Sequence, residues 1–111
     1  MDRLADYRTI VERILSHYVG IRYANADLTN ETVFDRENDR YLVVSYGWQG
    51  VKQLHGTLIH IDINDGKVWV HRDGTEYGVA NELVDAGVPK DHIVLGFHSP
   101  SVRSHTGFAA A

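Results

Sequence analysis

A hairpin signal in the middle of the chain constrains the fold more than any other feature. Residues 53–63 and 67–73 alternate in polarity and are rich in β-branched side chains, and "NDGK" joins them. Asp-Gly at the centre of a two-residue turn favours type I′, in which both central residues need a positive φ angle. The pattern therefore predicts two antiparallel strands around Asp65 and Gly66.

The aliphatic residues decide the register of this hairpin. A two-residue turn sets Ile63 against Val68. The next pair on the same face is then Ile61 and Val70. A shift of one residue would break up this aliphatic set, and the register of a strand follows its buried face. We therefore expect this face to pack in the core.

The same register gathers polar and aromatic residues on the opposite face. It sets His60 directly opposite His71, and Asp62 opposite Trp69. Opposed side chains lie about 4.5–5.5 Å apart at Cβ, and zinc or non-haem iron accepts two imidazoles and a carboxylate as ligands. His60, Asp62 and His71 are the candidate metal ligands. The alternative is a half-exposed sheet face, or one that a neighbouring subunit covers.

An amphipathic helix is predicted from residue 2 to about residue 19. Asp2 is a plausible N-cap, and Gly20 stands where a glycine would end the helix. Three- and four-residue spacing places these apolar residues on one helical face: Leu4, Tyr7, Val11, Ile14, Leu15 and Tyr18. We expect this face to pack on the sheet of the same domain.

A second helix is predicted in "EYGVANELVDAGVPK". Asp73, with Glu76 three residues later, resembles a capping box at its start. Gly87 followed by Pro89 is the usual order of residues at a helix end. Its inner face is formed by Val79, Leu83 and Ala86.

The remaining segments complete an α+β fold. Residues 21–31 are polar and lack periodicity, which indicates a connection, and residues 32–38 and 39–49 are predicted as two strands around a turn. "HIVLGF" is a short apolar segment, predicted as a strand or an extended piece packed on the core, and one helical turn is plausible after Pro100. We predict a single domain over residues 1–111: an N-terminal helix, a four-stranded antiparallel meander, a second helix and a short C-terminal apolar segment. The helices should cover one face of the sheet.

Composition excludes several function classes. The 111 residues include no cysteine and carry a formal net charge of −4, with the basic residues scattered. Proteins that hold nucleic acid through phosphate contacts usually carry a basic patch. No apolar run approaches the ~18–20 residues of a membrane span, and the N-terminus lacks an apolar leader. We expect a cytoplasmic protein that does not bind membranes. The sequence shows no basic patch for direct DNA contact, but a basic face assembled in three dimensions stays open.

No motif assigns catalysis. The sequence contains no phosphate loop, no dinucleotide fingerprint, no Gly-x-Ser-x-Gly and no His-Glu-x-x-His. "DINDG" is not a calcium loop, because its acidic residues lack the required spacing. We therefore predict no catalytic residue and no cofactor.

Aromatic strand residues are the candidates for a binding surface. Tyr46 and Trp48 share a strand face, and Trp69 lies on the neighbouring hairpin. Tryptophan and tyrosine dominate binding hot spots on exposed faces, and core packing is the equal alternative. Arg103, within "FHSPSVRSHT", is a candidate for contacting an anion or an acidic partner. The alternative is an exposed tail with hydroxyl-to-backbone hydrogen bonds.

Several strings in one order resemble the XisI family, the fdxN element excision controlling factors of cyanobacteria. They are "YRTIVERIL", "YLVVSYGW", "HIDINDGKVWV", "DGTEYGVANELV", "GVPKDHIVLGFHSP" and "TGFA". The resemblance covers essentially the whole chain. His60 and Asp62 belong to the "HID" string, whereas the family often has other polar residues at the position of His71.

The resemblance implies a non-enzymatic accessory factor in the excision of a DNA element during heterocyst differentiation. Its implied partner is a XisH-like protein with a restriction-nuclease-like fold, and DNA would be reached indirectly, through the recombination machinery. The family supplies no catalytic residues. The contact residues that we predict are Tyr46, Trp48, His60, Asp62, Trp69, His71 and Arg103.

Two other functions are compatible with the sequence. The first is an antitoxin-like inhibitor, in which an acidic protein covers the basic DNA groove of a nuclease-like partner. The second is a small metal-dependent enzyme that uses His60, Asp62 and His71. The sequence also leaves open whether copies of the chain form a homo-oligomer.

Overall fold

The computed structural model describes residues 3–24 and 26–111, which form an α+β fold. Asp2, the predicted N-cap, lies outside the described residues. The elements are α1 (Arg3–Ser16), β1 (Asp27–Asp35), β2 (Arg40–Gln49), β3 (Lys52–Asn64), β4 (Lys67–Asp73), α2 (Val79–Asp85), a 3₁₀ turn (Lys90–His92), β5 (Ile93–Leu95) and α3 (Pro100–Arg103). None of the described helices is long and apolar enough to cross a membrane.

The first helix ends earlier than its hydrophobic pattern indicates. Regular α-helix stops at Ser16, and the amides of His17 and Tyr18 bond three residues back, to Ile14 and Leu15. Such bonds tighten the final turn of a helix. The inner face is as predicted, with these residues buried: Tyr7, Val11, Ile14 and Leu15.

The predicted connection over residues 21–31 is wrong in its second half. β1 begins at Asp27 and pairs with β2 along its whole length, from Asp27 opposite Trp48 to Asp35 opposite Arg40. The strand was missed because polar residues occupy both of its faces here. Asn30, for example, is buried, and its amide donates to the Tyr18 carbonyl at 2.8 Å.

The β3–β4 hairpin has the predicted turn. Asp65 and Gly66 both have positive φ angles, of 52° and 74°, as type I′ requires. The predicted pairs from Asn64–Lys67 through Ile61–Val70 are present, including Asp62 opposite Trp69.

The predicted His60–His71 pair is wrong, because the register shifts between His60 and Ile61. His60 pairs with Arg72, and Ile59 pairs with Asp73. One residue of β4, His71, is therefore extra, and this is a β-bulge.

The sheet has five strands and is mixed, not a four-stranded antiparallel meander. The strand order is β1-β2-β3-β4-β5, and β5 runs parallel to β4, with Val94 opposite Trp69. The apolar segment predicted after α2 thus becomes an edge strand. A parallel neighbour needs a crossover connection, and α2 supplies it.

One layer of helices covers one face of this sheet. α1 and α2 pack together against the aliphatic face predicted from the hairpin register, where Ile59, Ile61 and Val70 are fully buried. Burying one such side chain contributes about 1.5–3 kcal/mol. The face of the sheet that turns away from α1 and α2 therefore stays available for contacts.

The start of α2 differs from the predicted capping box. The helix begins at Val79, not near Glu76, and its flanking residue is Gly78. Asp73 nevertheless acts at this end, because its carboxylate accepts from the Val79 amide at 2.7 Å and from the Thr75 amide at 2.9 Å. The predicted end holds: the helix stops at Asp85, just before Gly87 with its positive φ.

Candidate functional site

The site is the face of the sheet that points away from α1 and α2, which we call the open face. Strand alternation places Tyr46 and Trp48 there, because Tyr41 and Val43 of the same strand point into the core. The residues that define the open face are Asp27, Glu31, Val33, Leu42, Val44, Tyr46, Trp48, His60, Asp62, Trp69 and His71.

An apolar column runs along β2 in the middle of the open face. Leu42 and Val44 are half-buried, whereas 38% of Tyr46 and 52% of Trp48 are exposed. Val33 of the neighbouring strand pairs with Leu42 and is 50% exposed. Exposed aromatic and aliphatic side chains in one continuous row are typical of a contact surface.

A column of carboxylates on β1 flanks the apolar column. Asp27 pairs with Trp48, and Glu31 pairs with Val44. The Tyr46 hydroxyl donates to Glu31 Oε1 at 2.8 Å, which raises the pKa of Tyr46. Asp27 and Glu31 are both exposed. This side of the open face therefore carries negative charge.

The histidines come together around one carboxylate, although they are not paired across the strands. His60 Nε2 lies 3.2 Å from Asp62 Oδ1, and His71 Nε2 lies 3.1 Å from Asp62 Oδ2. The two imidazole centroids are 4.9 Å apart. The bulge at His71 brings its ring to Asp62 despite the shifted register.

The metal hypothesis gains no support from this cluster. Across residues 3–24 and 26–111, no three histidine or carboxylate side chains are placed to hold a metal ion. Each oxygen of Asp62 instead faces one imidazole nitrogen at hydrogen-bond distance. The cluster is best described as a polar network on a half-exposed surface.

Arg103, predicted as a contact for an anion or an acidic partner, makes several contacts within the protein. Its guanidinium lies over the Trp69 ring, 5.3 Å from the centroid. Nε donates to the His98 carbonyl at 3.0 Å, and Nη2 lies 3.4 Å from the Gly96 carbonyl. α3, which starts at Pro100 as predicted, thus packs over the β4 end of the open face.

Local hydroxyl-to-backbone bonds support the alternative interpretation of this tail. Thr106 Oγ1 donates to the Arg103 carbonyl at 2.9 Å. The tail also bridges back to the sheet, between Val94 and Ala109. The C-terminal segment therefore covers one end of the open face. No described helix covers the part of the open face on β1, β2 and β3.

The predicted contact residues fall into two groups on the open face. Trp48 is six residues along β2 from Leu42, which pairs with His60, so Trp48 lies about 20 Å along the sheet from His60. The acidic column was missed because residues 27–31 were predicted as part of a connection, and Val33, which lies in a predicted strand, was not singled out.

Comparisons with known proteins point to one family. A model of the family described as XisI protein matches residues 1–110. No curated protein sequence matches the chain. Two solved structures share the fold along the whole chain, and both come from Anabaena variabilis.

One of these structures is a XisI-like protein, with 34% identity, a TM-score of 0.87, and coverage of 97% of this chain and 99% of the other. The second is the fdxN element excision controlling factor XisI, with 32% identity, a TM-score of 0.83, and coverage of 99% and 100%. The family match and the shared fold agree with the motifs read from the sequence. The chain belongs to the XisI family.

Proposed function

We propose that the chain is a non-enzymatic factor controlling the excision of a DNA element, and that it acts by binding a XisH-like protein through its open face. The observation that carries the proposal is the exposed apolar column of β2, centred on Tyr46 and Trp48. The family relative named as an excision controlling factor supports the process. The open face supports the mode of action.

The shape of the surface favours a folded protein as the partner. The column is continuous over Leu42, Val44, Tyr46 and Trp48, and a flat sheet face suits a broad contact better than a small ligand. Its core is apolar and its rim is charged, which is the usual anatomy of a protein interface.

The charge of the rim indicates which partner surface would fit. Asp27 and Glu31 border the apolar column, and the chain as a whole carries a net charge of −4. A nuclease-like partner needs a basic groove to hold DNA, and an acidic rim would be attracted to the edge of such a groove. DNA would then be reached through the partner, without a basic patch on this chain.

Co-expression with the XisH-like partner tests the proposal. We expect one species in size-exclusion chromatography, and at least about tenfold weaker binding after Trp48→Ser, because a central tryptophan is a typical hot spot. Val102→Ser is the matched control, since Val102 is 44% exposed but lies on α3. Two separate species for the unmodified pair would contradict the proposal.

The rim is tested by reversing one charge. Glu31→Lys should weaken the complex and reduce its dependence on salt, whereas Glu37→Lys, in the exposed turn after β1, should leave both unchanged. Equal effects of the two substitutions would argue against a directed acidic rim.

Inhibition of the partner is the second candidate, and the acidic column favours it specifically. An inhibitor of this kind would compete with DNA for a basic groove. A DNA-cleavage assay of the XisH-like partner, with and without this chain, separates the two modes. Cleavage by the partner alone that this chain suppresses would support inhibition. A partner that is inert alone would leave the accessory role.

A further inference from the structure

A second surface feature lies where the end of α1 meets the loop between β4 and α2. It is a cleft of about 420 Å³, and three tyrosines line it together with a glutamate. We call it the tyrosine cleft; the residues that define it are Tyr18, Tyr23, Glu76 and Tyr77. Ile21, Leu58 and Thr75 complete its walls.

Hydrogen bonds fix the hydroxyl end of each tyrosine. Tyr18 donates to Glu82 Oε2 at 2.5 Å, and Tyr77 donates to Asp85 Oδ2 at 2.5 Å. The Tyr23 hydroxyl accepts from the buried Asn30 amide at 3.0 Å. Three anchored rings give a preorganised wall, which lowers the entropic cost of binding.

The rings remain open to a ligand although their hydroxyls are held. Tyr77 is 60% exposed and Tyr23 is 37% exposed, and the neighbouring Ile21 is 41% exposed. These are large apolar surfaces for a chain of this size to leave in water. Their position around one concavity suggests a shared ligand.

The electrostatic environment of the cleft is negative. Glu76 lines it, and the described residues of its wall include no lysine or arginine. Burial, then Glu82, and more weakly Asp73, raise the pKa of Tyr18 well above its usual range. Two further carboxylates contact residues of its walls, because Glu82 accepts from the Tyr18 hydroxyl and Asp73 accepts from the Thr75 amide.

We propose that the tyrosine cleft binds a cationic side chain, arginine or lysine, from a basic segment of a protein partner. Aromatic rings attract a cation through their quadrupoles, and nearby carboxylates complement its charge. The source of the side chain rests on the proposed function, which supplies a protein partner, but the cleft itself is tested without that partner.

The test is an NMR titration of the isolated chain with N-acetyl-arginine amide and N-acetyl-lysine amide, and with the neutral citrulline amide as a control. At ligand concentrations on the order of 10 mM we expect saturable shifts of the Gly74–Tyr77 backbone amides with one or both cations. Citrulline should give none. Equal shifts with citrulline, or none with either cation, would overturn the proposal.

Matched variants locate the site. Glu76→Gln should weaken binding of the cationic amide about threefold, and Tyr77→Leu should weaken this binding further. Glu31→Gln and Tyr46→Leu are the controls, because they alter an exposed tyrosine–glutamate pair on the open face. If the open-face variants weakened cation binding as much as the cleft variants, a binding site in the cleft would be refuted. Tighter binding of spermidine than of either amide would refute a protein side chain as the ligand.

Co-expression with the partner keeps this proposal separate from the proposed function. A Tyr77→Leu chain that binds no cation but still forms the complex through the open face would leave the proposed function intact. If the chain binds the cations but forms no complex, the cleft is a cation site, and the XisH-like partner is not the source of the cationic side chain.

Discussion

The guanidinium of Arg8 on α1 forms two parallel hydrogen bonds with the carboxylate of Asp39, in the turn between β1 and β2. The Nε–Oδ1 distance is 2.6 Å, and the Nη2–Oδ2 distance is 2.9 Å. Asp39 also accepts from the Tyr41 hydroxyl, and its φ angle is positive, at 55°. One side chain thus connects the helix layer to the sheet at a turn whose backbone is left-handed.

Replacing Asp39 by asparagine should cost about 1–2 kcal/mol of unfolding free energy, because charge-assisted bonds are lost while the left-handed backbone is tolerated. Urea unfolding measures this cost. Glu12→Gln is the control, since it breaks the Glu12–Arg36 pair, in which 62% of the arginine side chain is exposed. We expect little change there. If both variants lost the same unfolding free energy, the Arg8–Asp39 pair would contribute no more stability than the exposed Glu12–Arg36 pair.

The same pair predicts a pH dependence. Hydrogen bonds from Arg8, and then from Tyr41, hold the pKa of Asp39 below its ordinary value. The contribution of Asp39 is therefore complete above the unfolded pKa of about 3.9 and is lost as the pH falls through the folded value. Unfolding curves of the unmodified chain and Asp39→Asn should converge below about pH 4. A constant gap down to strong acid would contradict this assignment.

Asn30 should be the most sensitive polar residue of β1. It is 1% exposed, and its amide bonds the Tyr18 carbonyl and the Tyr23 hydroxyl, while its oxygen accepts from Ser45 at 2.5 Å. Asn30→Ala should cost about 1–3 kcal/mol, because buried partners lose their bonds. Asn64→Ala, at an exposed turn position, should stay within about 0.5 kcal/mol. Chemical denaturation measures the unfolding free energy of both variants. Similar losses would show that burial of Asn30 does not make it more sensitive than Asn64.

Gly47 should not accept any side chain. A Cβ there would lie 1.9 Å from the Asp27 carbonyl oxygen, and its φ angle is 151°. Gly47→Ala should cost at least about 2 kcal/mol and loosen the β1–β2 pairing. Gly56→Ala is the control, because nothing lies within 4 Å of that Cβ. Thermal unfolding and amide exchange measure both variants, and an equally stable Gly47→Ala would refute the close approach.

Arg103 should protect Trp69 from solvent. In a Trp48→Phe background, the only remaining tryptophan is Trp69, so fluorescence reports on it alone. Arg103→Ala should increase acrylamide quenching and cost about 1 kcal/mol, because the guanidinium leaves the ring and two carbonyls lose a donor. Arg72→Ala, away from the ring, is the control. Unchanged quenching would show that α3 stays in place without Arg103.

Local turn chemistry explains what the sequence could predict. Asp65 and Gly66 specify a type I′ turn by themselves. The aliphatic pairs next to the turn fix the strand register wherever their side chains are buried. The inner face of α1 follows from its spacing in the same way. Each of these predictions rests on residues within one element or one hairpin.

The missed features depend on contacts between distant parts of the chain. β1 has a buried asparagine in place of an aliphatic residue, so its alternation could not be recognised without Tyr18 and Tyr23. The segment that forms β5 is predicted as a strand or an extended piece, but its parallel pairing with β4 could not be recognised from three residues. The tyrosine cleft joins residues from two separate loops, and no local pattern marks it.

The extra residue in β4 links the sheet to the second helix. Side chains of a strand alternate, so an unbroken ladder with His71 opposite His60 would set Asp73 opposite Leu58 and turn it away from the face that it shares with Ile59. The carboxylate of Asp73 would then leave the first amide of α2, at Val79, without its acceptor. One inserted residue therefore sets the phase between strand and helix, because the bulge keeps the Asp73 side chain on the side of the sheet where α2 begins.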